Sequence, residues 1–104
     1  MDASTLFEEV ADEYTGDPDV LRAKMFGAPG LRVRGKFFAC LAKGQLVLKL
    51  PVARVAALVA GGTAAPFDPG MGRPMKEWVT VAPDAAPWPA LAAEAKTFVA
   101  AGAA

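Results

Sequence analysis

A single cysteine and a complete lack of histidine bound the chemistry that this chain can perform. Without histidine the chain lacks the commonest general base. The Ser/His/Asp and Cys/His nucleophilic systems are excluded with it, as is histidine metal ligation. One thiol cannot build a multi-thiolate zinc site. Cys40 lies within Phe37-Phe38-Ala39-Cys40-Leu41-Ala42, where a buried, inert small hydrophobe is its expected role, not a nucleophile. Glu8-Glu9 and Asp12-Glu13 would put carboxylates one helical turn apart, enough for weak cation binding, but a solvated helix face near its N-terminus explains them equally well and more simply. The expectation is a protein with no catalytic residue, no metal and no cofactor.

Two glycine patterns invite a phosphate-binding reading and fail it. Gly70-Met71-Gly72-Arg73-Pro74-Met75 begins like a dinucleotide fingerprint, but the third glycine is Met75, and Pro74 leads toward a strand instead of a helix N-terminus. Gly27-Ala28-Pro29-Gly30 matches in length the loop of certain single-strand binders. That loop joins two helices, whereas strand-like residues flank this one. Met25-Phe26 with Met71, Met75 and Trp78 could line an apolar groove, or serve as core plugs beneath the glycine turns. From Phe67 to Val81 two prolines and two glycines run into an aromatic, β-branched segment, so a loop of defined shape should present Met71, Arg73 and Met75 and feed a strand.

The formal net charge of zero hides a partition. Residues 1–19 hold seven acids (Asp2, Glu8, Glu9, Asp12, Glu13, Asp17, Asp19) and no base, while residues 20–67 hold eight bases (Arg22, Lys24, Arg32, Arg34, Lys36, Lys43, Lys49, Arg54) and no acid. One reading is a basic sheet surface, with Arg32, Arg34, Lys43 and Lys49 as its anion-binding residues. The simpler reading is neutralisation of those strands by the acidic first helix, in keeping with a pI of about 6.2 where nucleic-acid modules usually exceed about 9.

The elements that must position these residues follow from periodicity. Thr5-Leu6-Phe7-Glu8 fits a capping box, and Leu6, Val10 and Tyr14 recur every fourth residue, predicting an amphipathic helix over 5–14. Arg22–Phe26, Leu31–Arg34, Phe37–Ala42 and Gln45–Leu50 read as four short strands, punctuated by Gly27, Gly30, Gly35 and Gly44 and close enough to demand antiparallel hairpins. Pro51 opens a helix to Ala60, with Val52, Val55, Ala56 and Val59 on one face, and Gly61-Gly62 stops it. A short extended piece over 65–67, a strand from Lys76 to Ala82, and a last helix marked by Leu91, Ala95, Phe98 and Val99 complete about nine elements.

Strand parity poses a problem. If Arg34-Gly35 and Lys43-Gly44 are both two-residue turns in regular strands, Leu31 and Val33 share a face with Phe38 and Cys40, whereas Leu46, Leu48 and Leu50 share the other face with Phe37, Ala39 and Leu41. Either one hairpin contains an extra residue or helices cover parts of both faces. The favoured solution is a three-residue Arg34-Gly35-Lys36 loop with a bulge. It would unite Leu31, Val33, Phe37, Ala39, Leu41, Leu46, Leu48 and Leu50, and turn Lys43, Gln45, Val47 and Lys49 outward.

With 104 residues, 54% of them hydrophobic and 21% charged, the chain makes one globular domain. Arg54 interrupts the longest apolar run, so no segment is expected to span a bilayer. The acidic N-terminus is unlike a secretory signal, and the lone cysteine forms no internal disulfide; both favour the cytoplasm.

Three segments together, Lys24-Met25-Phe26-Gly27-Ala28-Pro29-Gly30-Leu31, Gly35-Lys36-Phe37-Phe38-Ala39 and Phe67–Val81, resemble the TfoX N-terminal domain family. The resemblance runs from about Lys24 to Val81. It implies an α+β single domain, residues 1–104, with an antiparallel sheet and flanking helices, from a bacterial cytoplasmic protein. Better-known family members regulate DNA-uptake (competence) genes together with a catabolite-responsive transcription factor, and no catalytic residues belong to the pattern. Full-length regulators carry a second, helical domain resembling DNA-binding modules; with this sequence ending at Ala104, direct promoter binding is not expected. The resulting expectation is a non-enzymatic interaction domain that binds a protein partner, either a transcription regulator or a second copy of itself. Its contact residues are Met71, Arg73, Lys76 and Arg32, with Gly27, Gly30, Gly70 and Gly72 as structural loop glycines. The alternative is a module for a small anionic ligand or nucleic acid built on Arg32, Arg34, Lys43 and Lys49.

Overall fold

The computed structural model describes residues 2–25, 27–67 and 75–102. Nine elements follow one another: α1 (Ala3–Asp12), β1 (Val20–Met25), β2 (Ala28–Val33), β3 (Lys36–Ala42), β4 (Gln45–Lys49), α2 (Val52–Ala60), β5 (Ala65–Phe67), β6 (Met75–Val81) and α3 (Trp88–Gly102). The six strands form one antiparallel sheet in the order β1-β2-β3-β4-β6-β5. The expected α+β domain is therefore the observed one.

Local chemistry explains the element ends. Asp2, not Thr5, caps α1: its carboxylate accepts a hydrogen bond from the Thr5 backbone N–H at 2.8 Å. The helix thus starts two residues before the expected capping box and ends at Asp12, leaving Tyr14 in the following turn. At the far end of α2, Gly62 adopts φ +77°, while the Gly62 and Thr63 N–H groups reach back to the Val59 and Leu58 carbonyls. That pairing satisfies carbonyls the helix would otherwise leave open, and the left-handed φ is one that glycine adopts without strain. The inward face of α2 carries Val55 and Leu58, whereas Val52, expected to face inward, is 51% exposed.

The parity problem has a different solution from the favoured one. Val33 pairs with Lys36, so Arg34-Gly35 is a two-residue turn with φ +51° and +84°, the positive pair that a tight hairpin requires. The extra residue sits within β3, where the pairing shifts between Leu31↔Ala39 and Arg32↔Phe37. This bulge sends Phe38 and Ala39, though adjacent, into the same core and leaves Phe37 on the opposite face. Phe38, not Phe37, therefore joins Leu31, Val33, Leu46, Leu48 and Leu50. Val47, expected to look outward, is fully buried in a second, smaller cluster with Cys40 and Trp78.

The helices share one side of the sheet. Buried residues of all three, Phe7 and Val10 from α1, Val55 and Leu58 from α2, and Leu91, Ala95 and Val99 from α3, belong to the main core with the inward strand residues. Trp88, at the start of α3, is buried there, and its indole N–H donates to the Ala82 carbonyl at 3.1 Å. The second cluster draws only on strand residues, with half-buried Phe37, Ala42 and Phe67 packed against it. Among the described residues, no helix covers that face.

Candidate functional site

The helix-free face is organised by register. Arg32 pairs across from Phe37 and Lys49 across from Trp78, and the β3–β4 ladder, continued one step beyond Ala39↔Leu48, sets Lys49 opposite the Phe37-Phe38 bulge, so these four positions fall in one transverse row over β2, β3, β4 and β6. The next row holds Gly30, Cys40, Val47 and Thr80. Gly30 is thus a strand residue rather than part of a loop. A Cβ there would lie 2.9 Å from the Phe37 ring, so the glycine supplies the space into which that ring leans. Gly27, by contrast, does sit in a turn, with φ +79°.

The row is partly prearranged. The Arg32 guanidinium donates to the Gly35 carbonyl through Nη2 at 2.8 Å and Nε at 3.2 Å, and it lies 5.5 Å from the Phe37 ring centroid. A cation held over an aromatic face keeps its charge at the surface with its stem ordered. Phe67 and Trp78 pack at 6.4 Å between centroids in a tilted arrangement and close the row on the β5 side. Lys76, two residues before Trp78 in β6, is exposed.

The four candidate anion-binding residues divide. Arg32 and Lys49 share the row, whereas Arg34 lies in the turn beyond β2 and approaches Asp19 at 3.8 Å. Lys43 occupies the β3–β4 turn at the opposite end of the sheet. The proposed contact set Met71, Arg73, Lys76 and Arg32 is only half described: Met71, Arg73, Gly70 and Gly72 lie outside the described residues, as does Phe26 of the apolar groove drawn from Met25, Phe26, Met71, Met75 and Trp78.

Acidic residues gather on the other side. Glu8 on α1 meets Arg22 of β1 through two hydrogen bonds, one at 2.9 Å, and this guanidinium holds the Glu8 carboxyl below its ordinary range. Asp17 accepts from Lys96 of α3 at 2.9 Å and from the Asp19 backbone N–H, which lower its pKa in that order. Lys96 also lies 5.6 Å from the Tyr14 ring, and Tyr14 packs edge-on against Phe38 at 5.7 Å. Arg54 of α2 and Glu94 of α3 pair at 2.9 Å across an open groove of about 580 Å³ that Leu50, Pro51 and Phe98 help to line. The acidic N-terminal segment therefore neutralises Arg22, Arg34 and Lys96, while none of the salt bridges among the described residues involves Arg32 or Lys49.

Nucleophilic chemistry has little support here. Cys40 is 3% exposed, and burial pushes its thiol up to about 11. Among the described residues no three His, Cys, Asp or Glu side chains converge as metal ligands. No helix among them is long and apolar enough to cross a membrane.

The sequence pointed to Arg32 and Lys49 but missed Phe37 and Phe67 as their neighbours. The bulge in β3 hid the first. A usable signal for it was Gly30, a residue without a side chain two positions from Arg32 within an otherwise apolar strand. Among protein-family models, that of the TfoX N-terminal domain matches residues 15–96, most of the chain. No curated protein and no solved structure gives a significant match.

Proposed function

The chain belongs to the TfoX N-terminal domain family, and on that premise we propose that it is a non-enzymatic interaction domain of the bacterial cytoplasm that binds a protein partner across the helix-free face of its sheet. The observation that carries this reading is the transverse row Arg32, Phe37, Lys49 and Trp78, which combines a partly exposed apolar centre with two basic groups that no described acid neutralises. Interfaces commonly put aromatic and arginine anchors at the centre of such a patch. The family's link to competence regulation supports a transcription regulator as the partner, and a second copy of the chain is the other protein that could occupy the face. A small anionic ligand or nucleic acid is the competing reading; the neutral overall charge favours protein.

The test is quantitative capture of cytosolic proteins on the tagged domain, comparing wild type with Arg32→Ala, Lys76→Ala and a Met71→Ala, Arg73→Ala double variant. A partner that is kept by wild type and lost by folded Arg32→Ala supports the face as the site. Undiminished retention by every variant removes these residues from it, and a partner that is nucleic acid in nuclease-treated controls overturns the protein reading.

A further inference from the structure

We infer that the occupant of this face is an acidic amphipathic helix of the partner, lying across the strands with carboxylates at i and i+7 and apolar residues at i+3 and i+4. The inference rests on the interaction reading above and specifies its partner's chemistry.

Charge complementarity is the first argument. Of the seven acids of residues 2–19, Glu8, Glu9 and Asp12 belong to α1 on the helix-covered side, and Glu8, Asp19 and Asp17 pair with Arg22, Arg34 and Lys96. Arg32 and Lys49 stay on the opposite side, and the strand residues beside them on that face, Phe37, Cys40, Val47, Trp78 and Thr80, carry no acid. The domain is therefore electrically two-sided although its net charge is zero. Such polarity orients an incoming anionic partner onto one face.

Spacing is the second argument. Arg32 and Lys49 stand on β2 and β4, two strand intervals apart, which is about 10 Å at ordinary sheet spacing. Seven residues of α-helix rise about 10.5 Å and return to almost the same face. Phe37 lies on β3 between the two bases, where apolar side chains half-way along that helical stripe would land. A helix laid there covers the sheet face that, among the described residues, no helix of this chain covers, and completes the packing that an apolar sheet surface favours. Single-stranded nucleic acid fits less well. Its bases stack on exposed ring faces, whereas Trp78 is 8% exposed and Phe37 is engaged by Arg32.

The experiment titrates the 15N-labelled full chain with a short capped alanine-based peptide carrying Glu at i and i+7 and Leu at i+3 and i+4. The comparison ligands replace both Glu by Lys, move the second Glu to i+5, or are oligo(dT). Expected are shifts of the Arg32, Phe37, Lys49 and Trp78 amides with the first peptide only, and weakening by about tenfold between about 0.05 and 0.3 M salt. Lys49→Glu should abolish binding, while Lys43→Glu, an equal charge change in a distant turn, should alter it by no more than about twofold. Arg32→Glu is a less clean variant because Arg32 also ties down the Gly35 carbonyl. Equal binding of the i+5 or lysine peptide, shifts confined to α1, α2 or α3, tighter binding of oligo(dT), or no binding at all would each overturn the inference. If a captured cytosolic protein still depends on Arg32 in any of those cases, only the partner's form is wrong. If that dependence is absent too, the interaction reading falls with it.

Discussion

At the scale of single residues, environment decides what Cys40 and the arginines can do. A thiol at a pKa of about 11 is only about one part in a thousand thiolate at pH 8, and its burial beside Val47 and Trp78 blocks approach as well. Cys40 should therefore react with a thiol reagent at least roughly a hundredfold more slowly in the folded protein than in denaturant, at a rate governed by opening of the sheet. Rapid stoichiometric labelling of the native protein would show that this cluster is not closed. Among the arginines, Arg22 and Arg54 are tied to Glu8 and Glu94, whereas Arg32 donates to the Gly35 carbonyl and pairs with no acid among the described residues. Both kinds look alike in the sequence. Only their cross-strand and helix-facing neighbours separate them.

At the scale of elements, the bulge in β3 sets which aromatic ring belongs to which cluster. Phe38 is fully buried in the main core against Tyr14, while Phe37 is half-buried on the opposite face. Truncation should tell them apart: Phe38→Ala should cost about 3–5 kcal/mol by leaving a cavity, and Phe37→Ala roughly 1–2 kcal/mol. Chemical denaturation of the two variants measures this, and equal costs would place the phase shift elsewhere in the strand. The bulge also explains how a chain with two regular two-residue turns, Arg34-Gly35 and Lys43-Gly44, keeps its leucines together. One extra residue within the strand changes the alternation once, and no irregular loop is needed.

At the scale of the whole molecule, the N-terminal segment works as a charged strap between the sheet edge and α3. Glu8 and Asp17 have lowered pKa values because hydrogen bonds from Arg22 and Lys96 favour their ionised forms. A carboxyl with a depressed folded-state pKa stabilises the fold above its unfolded pKa, and that contribution is lost as pH falls through the lowered value. Thermal stability should accordingly decline as pH is taken below about 4, the ordinary carboxylate range, and a Glu8→Gln, Asp17→Asn variant should show a lower Tm at pH 7 and a shallower acid decline. The Lys96 pKa is raised, first by its hydrogen bond to Asp17, so its contribution is present below the ordinary lysine value and lost as pH rises through the raised one. An unchanged acid limb in the double variant, followed by circular dichroism, would mean that these pairs are too exposed to matter.

Much of the fold was determined by sequence alone, because hydrophobic period and turn chemistry act over neighbouring residues. The glycine-punctuated runs from Arg22 to Leu50 specify antiparallel hairpins, Pro51 and Gly61-Gly62 bound α2, and the Leu91, Ala95 and Val99 spacing gives α3 its buried stripe. The combined motifs likewise pointed to the family that the match over residues 15–96 establishes. Tertiary structure alone decided the rest, since it turned on residues far apart in the chain. The placement of the extra residue at Phe37-Phe38 and the burial of Val47 on the second face each differ from the local reading. The candidate site belongs to this second class. Arg32 and Lys49 are seventeen positions apart in a charge run that could equally be a solvated stripe, and they become one row only when β2, β3 and β4 align and all three helices pack on the other side.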